Sequence, residues 1–206
     1  VYSAGCFHHN QKNALKKILN TVFTNVEPKV ETDLLGAARA AWQHKNGVIA
    51  ILGTGSNSGI YDGTNITMNI RPLGYILGDE GSAAFFGKKI LQSFLHQELP
   101  NELQKAFENE YTDDRNGIIE NLYSLNQKGA FLAKYAWFDY HHLSHPFVKK
   151  LLTKGFRKFF QYYILPYGPV NEVRFIGSLA YELQKTIQQI ANEYNIQANI
   201  FIKQPI

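Results

Sequence analysis

Three short, mostly apolar segments of the chain are predicted to be strand ends, and each runs into a glycine that is followed by small or acidic polar residues. The segments are Ile49–Leu52, Gly74–Leu77 and Val173–Ile176. They lead into Gly-Thr-Gly-Ser-Asn at 53–57, Gly-Asp-Glu-Gly-Ser at 78–82 and Gly-Ser at 177–178. Glycine lets the backbone turn with φ > 0 and lets a ligand approach it closely, and successive N–H groups in such a turn bind anions. One Gly-Thr-Gly alone would indicate a tight turn, whereas three such junctions favour a nucleotide-binding cradle assembled from separate loops.

Hydrophobic spacing through the rest of the chain predicts helices that alternate with strands. The helices are predicted over 10–24, 34–44, 82–96 and 179–194, with a mostly helical, aromatic-rich stretch over 102–165. The strands are predicted over 48–52, 58–61, 66–69, 173–176 and 196–202, with Asp62–Gly63 as a hairpin turn. Alternation of this kind is typical of an α/β fold, which is the fold class we predict.

The chain divides near Asn46 in this interpretation. Residues 1–46 are too few for a domain, so we expect them to complete a first domain. Residues 47–206 then form a second domain with a helical insertion at about 100–165. The chain begins with Val1 rather than Met, and both its ends are already strand-like. We therefore expect it to be a fragment of a longer protein.

Composition excludes several classes of protein. No apolar stretch approaches the ~18 residues that cross a membrane, so we expect no membrane partner. The single cysteine, Cys6, excludes a disulfide framework and a multi-cysteine metal site from this chain alone. It also fits a cytoplasmic location, which we expect. The net charge is +4, and pairs such as Lys88–Lys89 are scattered. They indicate solvated helix faces rather than a nucleic-acid surface.

Four segments in this order resemble the N-acetylglucosamine kinase and BadF/BadG/BcrA/BcrD-type ATPase family, within the actin, hexokinase and Hsp70-like superfamily. They are ETDLLGAARAA, ILGTGSNSGIYDG, LGYILGDEGSAAFFGKKIL and RFIGSLAYEL. The resemblance implies two RNase-H-like domains with ATP and an amino sugar between them, and Mg²⁺ arriving with the ATP. The family begins with a first phosphate loop that this sequence lacks, so the isolated chain is expected to be inactive. The number of subunits stays open, and a homodimer is one option.

The resemblance also assigns roles to individual residues. Asp33 matches the catalytic base. The residues alone favour Asp33 as a helix cap, a place that Thr32 could also take, and the two roles are compatible. The cofactor-binding positions are Gly53, Thr54 and Gly55 in the second phosphate loop, and Gly177 and Ser178 on the adenosine side. The substrate-binding positions are Ser56, Asn57 and Asp79.

Alternatives from the residues themselves remain for several of these positions. Asn57 could instead bond its own backbone in a turn. Asp79 and Glu80 could cap the helix that follows them. Leu73 stands where some family members carry an aromatic residue against the sugar.

Some conspicuous side chains receive no functional role. No metal ligands are assigned, because the adjacent pairs His8–His9 and His141–His142 lack metal-ligand spacing. Trp42, Trp137 and the aromatic run 159–163 are interpreted as core.

Two other functions stay open beside the sugar kinase. The first is an ATPase activator of the 2-hydroxyacyl-CoA dehydratase type, which would need cysteines for an iron–sulfur cluster. The second is a non-catalytic sugar- or nucleotide-sensing protein.

Overall fold

A five-stranded mixed sheet with helices on both faces organises the chain. The structure, a computed structural model, describes residues 1–6 and 8–204. The strands are β1 (Tyr2–Ser3), β2 (Glu31–Thr32), β3 (Gly47–Leu52), β4 (Ser56–Tyr61), β5 (Ile66–Met68), β6 (Val173–Ile176) and β7 (Phe201–Ile202). The large sheet has the order β5-β4-β3-β6-β7, and β1 pairs with β2 in a separate parallel ladder. β3 is antiparallel to β4 and parallel to β6, which confirms the predicted α/β class. The hairpin predicted around Asp62–Gly63 is also confirmed, because β4 pairs antiparallel with β5.

Eleven helices occupy the described residues. They are α1 (His9–Val22), α2 (Asp33–Trp42), α3 (Gly74–Leu77), α4 (Ala83–Leu95), α5 (Asn101–Glu110), α6 (Arg115–Ser124), α7 (Lys128–Lys134), α8 (Ala136–His141), α9 (Pro146–Phe159), α10 (Ser178–Glu182) and α11 (Gln184–Glu193). A π-helical turn, Phe160–Ile164, continues α9. In the part of the chain that is described, no helix has the length and apolarity needed to cross a membrane.

The central strand β3 is apolar on both sides. Val48, Ala50 and Leu52 belong to the larger core, beneath the helical layer, whereas Ile49 belongs to a smaller core beneath α2. Successive residues of a strand point to opposite faces, so a strand covered on both sides reads as a continuous apolar run. This burial explains why Ile49–Leu52 carries no polar residue.

Helix α2 crosses the opposite face of the sheet from the helical layer. Trp42 packs at Gly47, where β3 begins, and its indole N–H donates to the carbonyl of Val48 at 3.1 Å. Near the other end, the side chain of Leu34 packs at Gly59 of β4. The helix therefore carries its first residues toward β4 and away from the beginning of β3.

Three predicted elements differ from the observed ones. The segment Gly74–Leu77, predicted as a strand end, is the short helix α3. The predicted helix over 179–194 is two helices, because Leu183 leaves helical geometry between α10 and α11. Of the predicted strand over 196–202, only the two residues of β7 form a strand. Val173 N–H donates to the Gln197 carbonyl and Phe175 N–H to the Ile200 carbonyl, so two steps on β6 face three on its partner. This extra residue interrupts regular pairing, as in a β-bulge.

Candidate active site

The loop between β3 and β4 is attached to the start of helix α4. The N–H groups of Ala83 and Ala84 donate to the carbonyls of Gly53 and Thr54 at 2.9 and 3.0 Å. Within the loop, Gly53 N–H donates to the Gly55 carbonyl at 3.0 Å, and Thr54 is exposed. Loop 53–55 is therefore held by the start of α4, the helix that follows the Gly-Asp-Glu-Gly-Ser segment at 78–82.

Asp79 sits in a tight turn before α4 rather than at its cap. Its φ is 57°, in the left-handed region that few non-glycine residues adopt. Ser82 is the cap, since its Oγ accepts from Phe85 N–H at 3.1 Å. The capping alternative for Asp79 and Glu80 is therefore wrong. The turn carries the Asp79 carboxylate to Gly55, with Oδ2 3.2 Å from the position that a Cβ of that glycine would take.

The charge state of Asp79 depends on opposing effects. Burial raises the pKa of its carboxyl, the backbone N–H groups of Gly74 and Ser56 lower that pKa, and the neighbouring Glu80 raises it. Glu80 is itself held, because its Oε2 accepts from the hydroxyl of Tyr163 at 3.1 Å. Asp79 is thus a buried acceptor with a fixed neighbour.

Lys88 differs from the solvated lysine that the sequence indicated. Its Nζ is partly buried and donates to the carbonyl of Tyr75 at 2.6 Å, on the short helix α3. Burial lowers the pKa of Lys88, and the negative charges of Glu80 and Asp79 oppose that effect. The lysine therefore ties α4 to the segment that leads into the Asp79 turn.

Ser56 and Asn57 lie on strand β4, not in the loop where the sequence placed them. Both are buried, and Ser56 Oγ has no hydrogen-bond partner among the described residues. Asn57 Oδ1 accepts from the N–H of Ser58 and from Nδ2 of Asn69, each at 2.9 Å. Asn57 thus bonds adjacent backbone, as the turn alternative proposed, but it does so from a strand.

Gly177 meets the first loop directly. Its φ is 123°, and a Cβ there would lie 2.2 Å from the carbonyl oxygen of Leu52, so a side chain is excluded at this position. Its N–H donates to the Ile202 carbonyl at 3.0 Å, and Ser178 begins α10. Gly177 therefore packs directly against the end of β3, where loop 53–55 begins.

A cavity of about 260 Å³ opens where the first and third junctions meet helices α7 and α8. It is lined by Gly53, Thr54, Ala83, Ala130, Ala133, Lys134, Ala136, Trp137, Ser178 and Leu179. Trp137 is 45% exposed, so its interpretation as core is wrong, whereas Trp42 is buried as predicted. The small side chains of the alanines at 130, 133 and 136 leave this space open.

Asp33 is the first residue of α2, directly after its cap. Thr32 is that cap, because its Oγ1 accepts from Leu35 N–H at 3.2 Å. Asp33 Oδ1 accepts from Leu34 N–H at 2.8 Å. Burial raises the pKa of the Asp33 carboxyl, and the bond from Leu34 opposes this. The cap alternative therefore belongs to Thr32. The next residue after Asp33, Leu34, packs on β4 at Gly59.

No three His, Cys, Asp or Glu side chains gather into a metal-binding cluster within residues 1–6 and 8–204. The cavity, by contrast, combines backbone of two glycine junctions, an aromatic side chain and a cation, Lys134, whose Nζ lies 3.7 Å from Asp113. These features fit a nucleotide.

Comparisons with known proteins agree with the fold. The chain is 34% identical to a candidate N-acetylglucosamine kinase from Porphyromonas gingivalis, with a TM-score of 0.93 over 99% of this chain and 72% of that chain. A candidate N-acetylglucosamine kinase from Chromobacterium violaceum is 20% identical, with a TM-score of 0.68 over 92% of this chain and 67% of that one. No protein-family model matches, and no curated protein matches significantly.

The first of these similarities extends over nearly the whole chain and is carried by sequence as well as by shape. It confirms the predicted α/β fold of the sugar kinase class. The BadF/BadG part of the resemblance and the division into two domains stay predictions. The chain belongs to the N-acetylglucosamine kinase family of sugar kinases.

Proposed function

We propose that the protein transfers the γ-phosphoryl group of ATP to a hydroxyl of an amino sugar such as N-acetylglucosamine. The observation that carries the proposal is the arrangement on the two sides of loop 53–55. On one side lie the buried Asp79 carboxylate and the Ser56 hydroxyl, which has no partner among the described residues, and on the other lies the 260 Å³ cavity. The similar protein from Porphyromonas gingivalis is described as a candidate N-acetylglucosamine kinase, which supports the same reaction.

The sugar side offers both kinds of hydrogen-bonding group. Asp79, when ionised, accepts bonds from hydroxyl groups, the amide N–H groups of Asn57 donate them, and the Ser56 hydroxyl can do either. A buried hydroxyl without a partner costs about 1–3 kcal/mol, and Ser56 Oγ is in that state among the described residues. A polyhydroxylated ligand would supply the partner.

The nucleotide side is formed by Gly53, Thr54, Ser178, Lys134 and Trp137. Bound ATP supplies the phosphoryl group. The loop residues would hold its phosphates through backbone N–H groups and the Thr54 hydroxyl, near the positive end of the α4 dipole. Trp137 would offer its exposed aromatic ring to the base. Mg²⁺, which proteins usually hold through one or two carboxylates together with substrate phosphates, would arrive with the ATP.

Asp33 is assigned as the general base. A sugar hydroxyl is a weak nucleophile, and a carboxylate within hydrogen-bond reach orients it and takes its proton during transfer. Burial raises the pKa of Asp33, which makes the ionised carboxylate a stronger base than an exposed aspartate.

The test is an assay of ADP release by the full-length protein, with N-acetylglucosamine present and absent. The proposal predicts release that depends on the sugar. Release that ignores the sugar would overturn it in favour of the activator-type ATPase. Binding of sugar or nucleotide without any turnover would overturn it in favour of the sensing protein.

A further inference from the structure

Asn69 follows the last residue of β5 and reaches across to β4 with its side-chain amide. Its Nδ2 donates to Asn57 Oδ1 at 2.9 Å and to the Ser58 carbonyl at 2.6 Å. The backbone ladder between β4 and β5 pairs Ile60 with Met68 and goes no further toward Ser58. The side chain of Asn69 therefore continues the hydrogen bonding between β5 and β4 beyond the point where the backbone pairing ends.

The orientation of both amides follows from the backbone of Ser58. The Ser58 N–H is a donor, so the Asn57 atom 2.9 Å away is its oxygen. The Ser58 carbonyl is an acceptor, so the Asn69 atom that contacts it is its nitrogen. Neither amide can be turned over without placing two donors or two acceptors face to face.

The position of Asn69 is itself fixed from the helical layer. The N–H of Ile70 donates to the hydroxyl of Tyr167 at 3.0 Å, and that hydroxyl also lies 3.0 Å from Ser58 Oγ. Ser58 Oγ in turn donates to the carbonyl of Tyr163 at 2.7 Å. The segment that carries Asn69 and the strand that carries Asn57 are therefore both bonded to the hydroxyl of Tyr167.

We propose that Asn69 is a positioning residue that fixes Asn57 as a donor-only contact for the substrate. Ser58 and Asn69 together occupy both lone pairs of Asn57 Oδ1, so what Asn57 offers a ligand is its Nδ2 hydrogens. The substrate group at Asn57 is then an oxygen that accepts a hydrogen bond, a hydroxyl or an acyl carbonyl. The inference rests on the proposed function, because it takes Asn57 to contact the sugar.

The test measures sugar affinity by calorimetry on the full-length protein, in a cycle of Asn69→Asp, Asn57→Ala and the double variant. Asn69→Asp keeps the shape of the side chain but sets an acceptor against Asn57 Oδ1 and the Ser58 carbonyl. We expect it to weaken binding of N-acetylglucosamine about tenfold or more, to leave ATP affinity within about twofold, and to add little in the Asn57→Ala background. An Asn69→Ala variant repeats the cycle if the aspartate variant does not fold.

A second readout separates positioning from a general structural role. Across monodeoxy analogues of the sugar, Asn57→Ala and the Asn69 variants should lose discrimination against the same analogue. Full sugar affinity in the Asn69 variants would overturn this inference and leave the proposed function standing. So would a loss of sugar affinity that is equally large with and without Asn57. Full sugar affinity in Asn57→Ala would instead overturn the sugar site of the proposed function.

Discussion

The carboxylate of Asp79 packs against Gly55, with Oδ2 3.2 Å from the point where a Cβ of Gly55 would lie. That distance is shorter than ordinary van der Waals contact, so an added methyl group would displace the carboxylate. Loop 53–55 and the Asp79 carboxylate are therefore in direct contact. A change in one should be measurable in the other.

Gly55→Ala should weaken sugar binding, because Asp79 must move by a few tenths of an ångström to admit the methyl group. We expect a loss of about 10-fold, the equivalent of one weakened charged hydrogen bond. The matched control is Gly53→Ala in the same loop, where a Cβ would meet nothing within 4 Å. Gly53 lines the cavity, so that variant should lower nucleotide affinity and spare sugar affinity. Separate titrations of each ligand decide the point, and the reverse pattern would contradict the assignment of the two sides.

Asp33→Asn should lower kcat by roughly 10²–10⁴-fold with a smaller change in the KM for sugar. The reason is that the amide cannot take the proton of the attacking hydroxyl. The control is Thr32→Ala, which removes the helix cap and should cost about 1 kcal/mol of stability without a comparable fall in kcat. An Asp33→Asn variant with wild-type kcat would leave Asp33 without a catalytic role.

The same residue predicts a pH dependence. Burial raises the pKa of Asp33 above its ordinary value of 3.8. The base must be ionised, so kcat/KM should fall as the pH is lowered through this raised pKa and be restored above it. A pH–rate profile whose acidic limb is unchanged in Asp33→Asn would assign that limb to another group.

Trp137→Ala should weaken ATP binding, because it removes the aromatic ring that lines the cavity. Contacts between a base and an aromatic side chain contribute about 1–3 kcal/mol, so we expect a loss of roughly 5- to 150-fold. Tyr123→Ala is the control, since Tyr123 is 74% exposed on α6 and does not line the cavity. Calorimetry with ATP and with sugar should show a loss confined to ATP in the first variant and none in the second.

Asp139→Asn should stabilise the protein increasingly as the pH rises. Asp139 is buried on α8, both its carboxylate oxygens lack partners among the described residues, and burial raises its pKa well above 3.8. Below the unfolded pKa the carboxyl is protonated in both states. Between the two pKa values the wild type loses up to about 1.4 kcal/mol of stability per pH unit.

Denaturant titrations between pH 4 and pH 8 measure that difference. Glu98→Gln, which removes an exposed carboxylate, should show no comparable trend. A constant gap between Asp139→Asn and wild type across this range would show that Asp139 is equally protonated in the folded and unfolded states.

The glycine junctions were predictable from the sequence because the conformational freedom of glycine is visible in the residue type. The strand signal before them was right at β3 and β6 and wrong at Gly74–Leu77, which is helix α3. Asp79 and Gly55 could be named in this way, but their contact could not, since it depends on the turn at 79–82. Trp137 was missed for a related reason. An aromatic residue on a helix looks the same in sequence whether it faces the core or a cavity.

Asn69 shows the limit most clearly. Its sequence context is that of a strand end, where asparagine is common and carries no specific signal. Its bonds to Asn57 and Ser58 arise from the tertiary pairing of β5 with β4, together with the support of Tyr167 from the far end of the chain. Long-range contacts of this kind leave no local pattern in a single sequence.

The most direct test of the account is identification of the product. The full-length protein should be incubated with ATP and N-acetylglucosamine, and both products quantified by mass spectrometry. The account predicts sugar phosphate and ADP in a one-to-one ratio, with sugar phosphate formation reduced by roughly 10²–10⁴-fold in Asp33→Asn. ADP without sugar phosphate, or sugar phosphate formed at the wild-type rate by Asp33→Asn, would contradict it.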